Sequence, residues 1–217
     1  MPSEKLSIIG LGSLISEQSA RRTCPNLSNF RLGFTHGHKR IFNKADSYLI
    51  RMDKLPDDKK YACLSAVPDK SILKMYVSIF DIAIEDWPAL VEREFEYRLV
   101  EIPYEELDGG GTGHAIACLG DYTDEKTCLD IIHADPVRKL RWKEFCKNYD
   151  GPIWRYDLEP SEYYLNACLK TFQDLGAEFY NNFLDTTFVG DGRTIRNYLK
   201  DAESRNPARG ISSAGFP

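Results

Sequence analysis

The most informative stretch of the chain is Ile8-Ile9-Gly10-Leu11-Gly12-Ser13-Leu14-Ile15, in which an apolar strand runs directly into a turn. The turn contains two glycines and a serine, and glycines remove side chains so that backbone N–H groups can approach a small ligand closely. We therefore expect a small-molecule pocket beside this glycine turn. The same pattern also fits a turn whose glycines only let the chain change direction, and the turn alone favours neither interpretation.

A carboxylate is the second candidate functional group. Glu94 stands where a helix is expected to pass into a strand. If Glu94 lies in the pocket beside apolar strands, desolvation raises its pKa and suits it to proton transfer near neutral pH. The alternative is a solvated charged edge, because Glu92, Glu94 and Glu96 occupy every second position of this run.

Composition limits the classes of function. The chain has 217 residues, of which 42% are hydrophobic and 28% charged, which is ordinary for a globular protein. Its net charge of −5 argues against general binding to nucleic acid or to an anionic membrane, since both need a basic face. No apolar run approaches the roughly 18 residues of a membrane span, and the first residues lack a secretory pattern.

Cysteine usage indicates a reducing compartment. None of the six cysteines forms a CxxC pair, and without a secretory signal free thiols are a better interpretation than a disulfide framework. We therefore expect a cytoplasmic protein whose free thiols are Cys24, Cys63, Cys118, Cys128, Cys146 and Cys168.

Three other motifs are weaker. Gly10-Leu11-Gly12 supplies only the first two glycines of a dinucleotide fingerprint, because Ile15 stands at the third position. Ser13 lacks the GxSxG pattern of a nucleophile elbow. His36 and His38 would share one face of an extended segment, but no third ligand is evident. We expect an exposed hairpin there and no metal site.

The order of elements predicts an α+β fold, with strands in the first half and helices in the second. We expect a helix starting at Asp86, one domain over residues 1–203 and a mobile tail over 204–217. The expected strands are 6–9, 30–34, 39–42, 48–52, 61–67, 77–82, 97–104 and 115–119, and the other helices are 123–132, 137–148, 161–175, 177–184 and 194–201.

Three segments, in order, resemble the gamma-glutamylcyclotransferase-like family. Ile9-Gly10-Leu11-Gly12-Ser13-Leu14 resembles the family's YGSN or YGSL loop, and Leu90-Val91-Glu92-Arg93-Glu94 resembles its L-D-x-x-E segment. Pro160-Ser161-Glu162-Tyr163-Tyr164 resembles its PSxxY motif at the head of a late helix. The resemblance covers most of residues 6 to about 185.

The resemblance implies a small mixed β-barrel flanked by helices. It implies an amide-cleaving lyase or acyl transferase of glutathione metabolism that releases 5-oxoproline from a gamma-glutamyl peptide or amide, without metal or cofactor. The partner would be a small gamma-glutamyl substrate, with no nucleic acid and no membrane. Glu94 would be the general acid and base. The substrate-binding residues would be Gly10, Leu11, Gly12, Ser13, Leu14 and Tyr164.

The chain also departs from the family pattern. Leu11 replaces the tyrosine that opens the loop, Val91 replaces the aspartate of L-D-x-x-E, and Phe95 replaces a glycine that often follows the glutamate. Leu11 and Phe95 bear on activity and keep two other classes open. One is a non-catalytic small-molecule-binding or interaction protein on the same fold, and the other is a different amide-processing enzyme that uses the same pocket.

Overall fold

The computed structural model describes residues 5–107, 109–120, 122 and 124–205. In these residues the strands are β1 Lys5–Gly10, β2 Ser28–Thr35, β3 His38–Ala45, β4 Ala62–Pro68, β5 Met75–Ala83, β6 Arg98–Glu106, β7 Thr112–Leu119 and β8 Thr187–Val189. The helices are α1 Glu17–Thr23, α2 Ser47–Arg51, α3 Trp87–Arg93, α4 Glu125–Ala134, α5 Pro136–Phe145, α6 Glu162–Asp174, α7 Ala177–Thr186 and α8 Ile195–Arg205, with short 3-10 helices at Ser13–Ile15 and Ile84–Asp86.

Five strands close into a barrel in the order β1-β5-β2-β6-β7. Neighbouring strands are antiparallel except where β7 closes onto β1 in parallel, with Ile8 opposite Ile116 and Ile9 opposite Ala117. The sheet is therefore mixed, and helices lie around it. The predicted fold class, α+β with a small mixed β-barrel flanked by helices, is confirmed.

The second half of strand β1 is buried on both faces, which explains why the adjacent Ile8 and Ile9 are both apolar. Successive side chains of a strand point to opposite faces. Ile9 packs with Ile79 and other barrel residues, whereas Ile8 packs with Phe80 and with Leu90 of α3. The strand that leads into the glycine turn is thus held both by the barrel and by the helix that precedes Glu94.

A second sheet, in the order β4-β3-β8, lies beside the barrel. Strand β3 pairs antiparallel with β4 and parallel with the short β8. Its Phe42 is fully buried in the largest apolar cluster, together with Phe172 of α6 and Phe183 of α7, whose rings stack with centroids 4.4 Å apart. This cluster anchors the late helices to the second sheet.

A buried arginine joins the two sheets. Arg40 of β3 donates a hydrogen bond from Nε to the main-chain oxygen of Leu11 (2.6 Å) and another from a terminal nitrogen to the main-chain oxygen of Tyr76 in β5. Its guanidinium also bonds Thr186 Oγ1 and lies 4.9 Å from the ring centroid of Phe172. Burial lowers the pKa of Arg40 to about 9, so the side chain stays protonated at pH 7.

The strand predicted at 48–52 is wrong, because this segment forms helix α2. Asp46 precedes the helix, and its carboxylate accepts hydrogen bonds from the N–H groups of Tyr48 (2.9 Å) and Leu49 (3.2 Å). Ile50 is fully buried on the inner side. The aspartate cap and the burial of one residue outweigh the strand preference of an aromatic and aliphatic run.

The hairpin predicted around the histidines is also wrong. Strands β2 and β3 follow each other in sequence but belong to different sheets, so the turn at residues 36–37 connects the barrel to the second sheet. His36 Nε2 lies 2.8 Å from Glu105 Oε1, and the ring of His38 contacts the main-chain oxygen of His36. The described residues contain no group of three or more side chains suited to a metal ion.

The remaining expectations concern the ends of elements and the tail. Helix α6 begins directly after Ser161 as predicted, although the Ser161 side chain makes no capping hydrogen bond. Helix α8 continues to Arg205 and so includes the first two residues of the predicted tail, while residues 206–217 lie outside the described part. The division into one domain and a tail stays a prediction. All six cysteines are free, and none of the described helices is long and apolar enough to cross a bilayer.

We expect Arg40→Met to lower the free energy of unfolding by about 2–4 kcal/mol, because two buried main-chain oxygens, those of Leu11 and Tyr76, lose their donor. Urea unfolding measures the change. Arg196→Met is the matched control, since Arg196 forms an exposed ion pair with Asp185, and such pairs contribute about 0–1 kcal/mol. Equal stability of Arg40→Met and wild type would contradict this account of Arg40.

Candidate active site

The glycine turn and the end of α3 meet at a narrow cavity of about 50 Å³. Its walls come from β1, the turn, β4, β7 and the starts or ends of helices, and they contain both polar and apolar side chains. The lining residues are Ile9, Leu11, Gly12, Ser13, Leu14, Leu64, Ser65, Glu94, Tyr97, Cys118 and Tyr164. Four of them, Ser13, Glu94, Tyr97 and Tyr164, also line a wider cavity of about 540 Å³.

Close packing requires both glycines of the turn. A Cβ on Gly10 would lie 2.5 Å from the main-chain oxygen of Leu14, which already accepts a hydrogen bond from Ser78 Oγ (2.8 Å). A Cβ on Gly12 would lie 2.6 Å from Tyr164 Oη. Gly10 therefore shapes the turn without lining either cavity, whereas Gly12 lines the narrow cavity.

Tyr164 connects the late helix to the turn. It lies in the first turn of α6, and its hydroxyl oxygen accepts a hydrogen bond from the N–H of Ser13 (3.4 Å). Its ring meets Phe42 edge to face, with centroids 6.2 Å apart. Burial raises the pKa of Tyr164 well above its usual value, so the hydroxyl keeps its proton. The structure thus brings the predicted turn residues and Tyr164 together across about 150 positions of sequence.

Glu94 directly follows helix α3 as its C-terminal cap, and its main-chain N–H and oxygen both form hydrogen bonds. Its N–H donates to the main-chain oxygen of Leu90 (2.9 Å), and its own oxygen accepts from the N–H of Tyr97 (3.0 Å). The side chain is only 12% exposed. Burial raises the pKa of Glu94, the neighbouring Arg93 opposes this rise, and Glu96 adds to it.

The three alternating glutamates do not form one solvated edge. Glu92 is exposed and pairs with Arg141 (2.7 Å), Glu94 lines both cavities, and Glu96 is fully buried. They separate because α3 ends at Arg93 and the next strand begins only at residue 98, so no single period runs through the segment.

Sequence reasoning missed Arg93 as a member of the site. Its Nε lies 2.9 Å from Glu94 Oε1, one terminal nitrogen donates to Ser13 Oγ (3.2 Å), and the other donates to Thr23 Oγ1. The guanidinium therefore bridges the carboxylate and the glycine turn. No local signal marks it, because an arginine in the last turn of a helix is common for reasons of helix dipole alone.

Sequence reasoning also missed a buried ion pair beside Glu94. Lys44 Nζ lies 3.1 Å from Glu96 Oε1, both side chains are at most 5% exposed, and both line the wider cavity. Burial by itself would lower the pKa of Lys44, but Glu96 and other nearby groups raise it overall. No signal in the sequence marks Lys44, because it lies beyond the strand predicted at 39–42 and becomes part of β3 only in the structure.

The three residues that depart from the family's motifs are buried among other side chains. Leu11 is 7% exposed and joins the barrel cluster while also lining the narrow cavity. Phe95 is 6% exposed, and its ring lies edge to face with Phe145 of α5 at a wall of the wider cavity. Val91 is buried in the body of α3. All three replacements are therefore accommodated by apolar surroundings.

The chain is similar in structure to several solved proteins, at low sequence identity. One is a protein named gamma-glutamyl cyclotransferase, with a TM-score of 0.45 and 11% identity, covering 77% of this chain and 99% of that one. Another is a gamma-glutamyl cyclotransferase specific to glutathione from yeast, with a TM-score of 0.44 and 14% identity, covering 80% and 98%. A third is the uncharacterized protein loc79017 from Homo sapiens, with a TM-score of 0.44 and 11% identity, covering 69% and 94%.

Neither a protein-family model nor a curated protein matches the chain. The family whose motifs the sequence resembles is thus among the structures that this chain is similar to. At these identities and TM-scores the likeness carries no argument about activity. The α+β barrel is established by the strand pairing itself, and activity has to be inferred from the geometry of the site.

Gly12→Ala is expected to destabilise the protein by about 1–3 kcal/mol, because the new methyl group overlaps Tyr164 Oη. Removing that oxygen with Tyr164→Phe should relieve the overlap. In a double-mutant cycle measured by urea unfolding, the cost of Gly12→Ala is then smaller in the Tyr164→Phe background than in wild type. An equal cost in both backgrounds would show that Tyr164 does not limit the space at Gly12.

The raised pKa of Glu94 predicts a pH-dependent effect of Glu94→Gln on stability. The folded state binds the Glu94 proton more tightly than the unfolded state, so its contribution to stability is complete below about pH 4.5 and is lost as pH rises through the raised value. Glutamine is neutral throughout. Between pH 4 and pH 8 the difference in unfolding free energy, variant minus wild type, should therefore move in favour of the variant. A difference that does not change with pH would contradict the raised pKa.

Proposed function

We propose that the protein is a gamma-glutamyl cyclotransferase that releases 5-oxoproline from a gamma-glutamyl peptide or amide. The observation that supports this best is that the Glu94 carboxylate and the backbone of Gly12, Ser13 and Leu14 line the same narrow cavity. Such a cavity offers a proton acceptor and peptide N–H groups to one small polar group, here the gamma-glutamyl group of the substrate. The reaction needs both, because an amine must lose a proton and a carbonyl oxygen must take on negative charge.

The nucleophile is the substrate's own α-amine. Glu94 accepts a proton from the α-ammonium group, and the freed lone pair attacks the γ-carbonyl carbon. A C–N bond forms and the carbonyl electrons move to oxygen, where the amides from Gly12 to Leu14 stabilise the charge. When this tetrahedral intermediate collapses, the oxyanion electrons re-form the C=O bond, the original amide C–N bond breaks and protonated Glu94 gives its proton to the leaving amine. The ring nitrogen, which is positively charged after the attack, releases its extra proton to water. The five-membered lactam and a free amine are the products.

One carboxylate serves both proton transfers because the attacking and leaving nitrogens are bonded to the same carbon in the intermediate. A carboxyl group whose pKa is raised by burial is better matched to proton transfer near neutral pH than an exposed one. Holding the amine against the carbonyl supplies much of the rate, since effective molarities of well-oriented intramolecular reactions reach about 10⁵–10⁸ M.

The leaving amine would occupy the wider cavity. That cavity shares Ser13, Glu94, Tyr97 and Tyr164 with the narrow one, so a group bonded to the γ-carbonyl passes directly from one to the other. Its volume of about 540 Å³ accommodates a peptide or a sizeable amine. We place the protein in the cytoplasm, on the support of its six free cysteines.

A non-catalytic binding protein on the same fold is the second candidate. It is favoured by the ion pair between Arg93 and Glu94, which occupies the carboxylate that the reaction requires, and by Leu11 in place of the family's tyrosine. Such a protein would bind a gamma-glutamyl compound in the same cavity and release no product.

The test is 5-oxoproline release from glutathione, a gamma-glutamyl dipeptide and a gamma-glutamylamine. We expect wild type to act on at least one, and Glu94→Gln to lose about 10²–10⁴-fold in kcat, because it keeps the shape of Glu94 but accepts no proton. Glu17→Gln is the matched control, since Glu17 forms an exposed ion pair with Arg21 and lines neither cavity.

Binding separates the two candidate functions. Glu94→Gln should keep its fold and bind 5-oxoproline, as measured by circular dichroism and calorimetry. Full activity of Glu94→Gln would refute the role of Glu94. Binding without any release by wild type on all three substrates would favour the non-catalytic protein.

A further inference from the structure

We propose that Arg93 binds the α-carboxylate of the substrate and in doing so exchanges its contact with Glu94 for one with the ligand. This inference rests on the proposed function and names a specificity-determining residue for it. It makes the α-carboxylate a required feature of the substrate, and it couples the arrival of that group to the freeing of the base.

The contacts of Arg93 place a guanidinium at the junction of the two cavities. Three of its five N–H groups are engaged, with Glu94 Oε1 at 2.9 Å, Ser13 Oγ at 3.2 Å and Thr23 Oγ1. The side chain is 29% exposed and lines the wider cavity together with Ser13 and Glu94. A planar guanidinium of this kind is suited to two parallel hydrogen bonds with a carboxylate.

The chemistry of the substrate requires a cation close to the base. The α-amine and the α-carboxylate are bonded to one carbon, so the nitrogen and the carboxylate carbon are only about 2.5 Å apart, given bond lengths of about 1.5 Å. If Glu94 contacts the amine, the carboxylate lies beside Glu94 as well. A negative group brought next to Glu94 would repel it, unless a positive group lies between or beside the two.

Two other cations that line the wider cavity, Lys44 and Arg141, are less suited to this task. Lys44 is 5% exposed and its Nζ is held by Glu96 (3.1 Å) and Ser47 (3.3 Å). Arg141 is held by two carboxylates, those of Glu92 (2.7 Å) and Glu144 (2.9 Å). Among the described residues, Arg93 contacts one carboxylate, that of the proposed base Glu94.

The exchange has a consequence for Glu94. In the free protein Arg93 holds down the pKa of Glu94 against the effect of burial. When the guanidinium turns to the ligand's carboxylate, its charge is shared with a second anion and Glu94 becomes a better proton acceptor. A ligand with an amine but no α-carboxylate would leave the ion pair intact and the base less active.

A pair of substrates tests the inference. The first is γ-L-glutamyl-L-alanine, and the second is 4-aminobutyryl-L-alanine, which keeps the amine and the amide but lacks the α-carboxylate. The products are 5-oxoproline and 2-pyrrolidinone. We expect wild type to prefer the first compound in kcat/KM and Arg93→Met to reduce that preference by about 10- to 100-fold, the range of charge-assisted hydrogen bonds. Because wild type and Arg93→Met receive the same two compounds, the intrinsic difference in reactivity between the compounds cancels when the two preferences are compared.

Two variants control for indirect effects. Arg141→Met makes the same substitution in the same cavity and should keep the wild-type preference. Arg93→Lys retains the charge and should keep more of the preference than Arg93→Met. Circular dichroism reports whether the variants fold. Recognition of the carboxylate is also tested without any variant, by comparing how strongly 5-oxoproline and 2-pyrrolidinone, which lacks the carboxylate, inhibit wild type.

The outcomes distinguish a failure of the role of Arg93 from a failure of the proposed function. Release of both lactams with a preference that Arg93→Met does not alter, or equal inhibition of wild type by the two lactams, overturns the role of Arg93 and leaves the proposed function standing. Release of 5-oxoproline by wild type from none of glutathione, γ-L-glutamyl-L-alanine and a gamma-glutamylamine overturns the proposed function and this inference with it.

Discussion

The hydrogen bond from the buried Arg40 guanidinium to the main-chain oxygen of Leu11 is the contact on which the site's geometry depends. Arg40 belongs to the second sheet, Leu11 to the glycine turn and Tyr76, its other main-chain acceptor, to the barrel. This bridge ties the backbone of the turn to β3. The charge is buried with carbonyl and hydroxyl acceptors and aromatic faces around it, a combination that holds the backbone of the turn in place.

The site combines one adjustable charge with a fixed environment. Glu94 is largely removed from water and has an arginine in contact, while the Lys44–Glu96 pair beside it is almost neutral as a unit. Burial and Arg93 act on Glu94 in opposite directions, so its protonation depends on where the Arg93 guanidinium points. The affinity of this carboxylate for a proton would therefore rise if a ligand drew the guanidinium away.

The sequence could predict the features whose signals are local. The glycine turn, Glu94 at the end of a helix and Tyr164 at the start of another stand in short recognisable segments. The order of elements, with strands in the first half and helices in the second, indicated the α+β class. The sequence could not place three other residues, because each contacts a group far away along the chain. Arg40 bonds Leu11, 29 positions away, and Lys44 pairs with Glu96, 52 positions away. Arg93 reaches the glycine turn through Ser13, 80 positions away. Segment 48–52 misled because an aspartate cap two residues upstream outweighed the strand preference of its side chains, and β8 formed only because β3 was there to pair with it.

The central claim is that the turn's amides and the Glu94 carboxylate hold the same small ligand. Titration of ¹⁵N-labelled protein with 5-oxoproline, followed by amide NMR, tests it most directly. The account predicts that the largest shift changes fall on Gly12, Ser13, Leu14 and Glu94, and that the titration depends on pH through Glu94. Shift changes confined to other parts of the chain, such as the barrel strands β2 and β6, or no change at millimolar ligand, would contradict it.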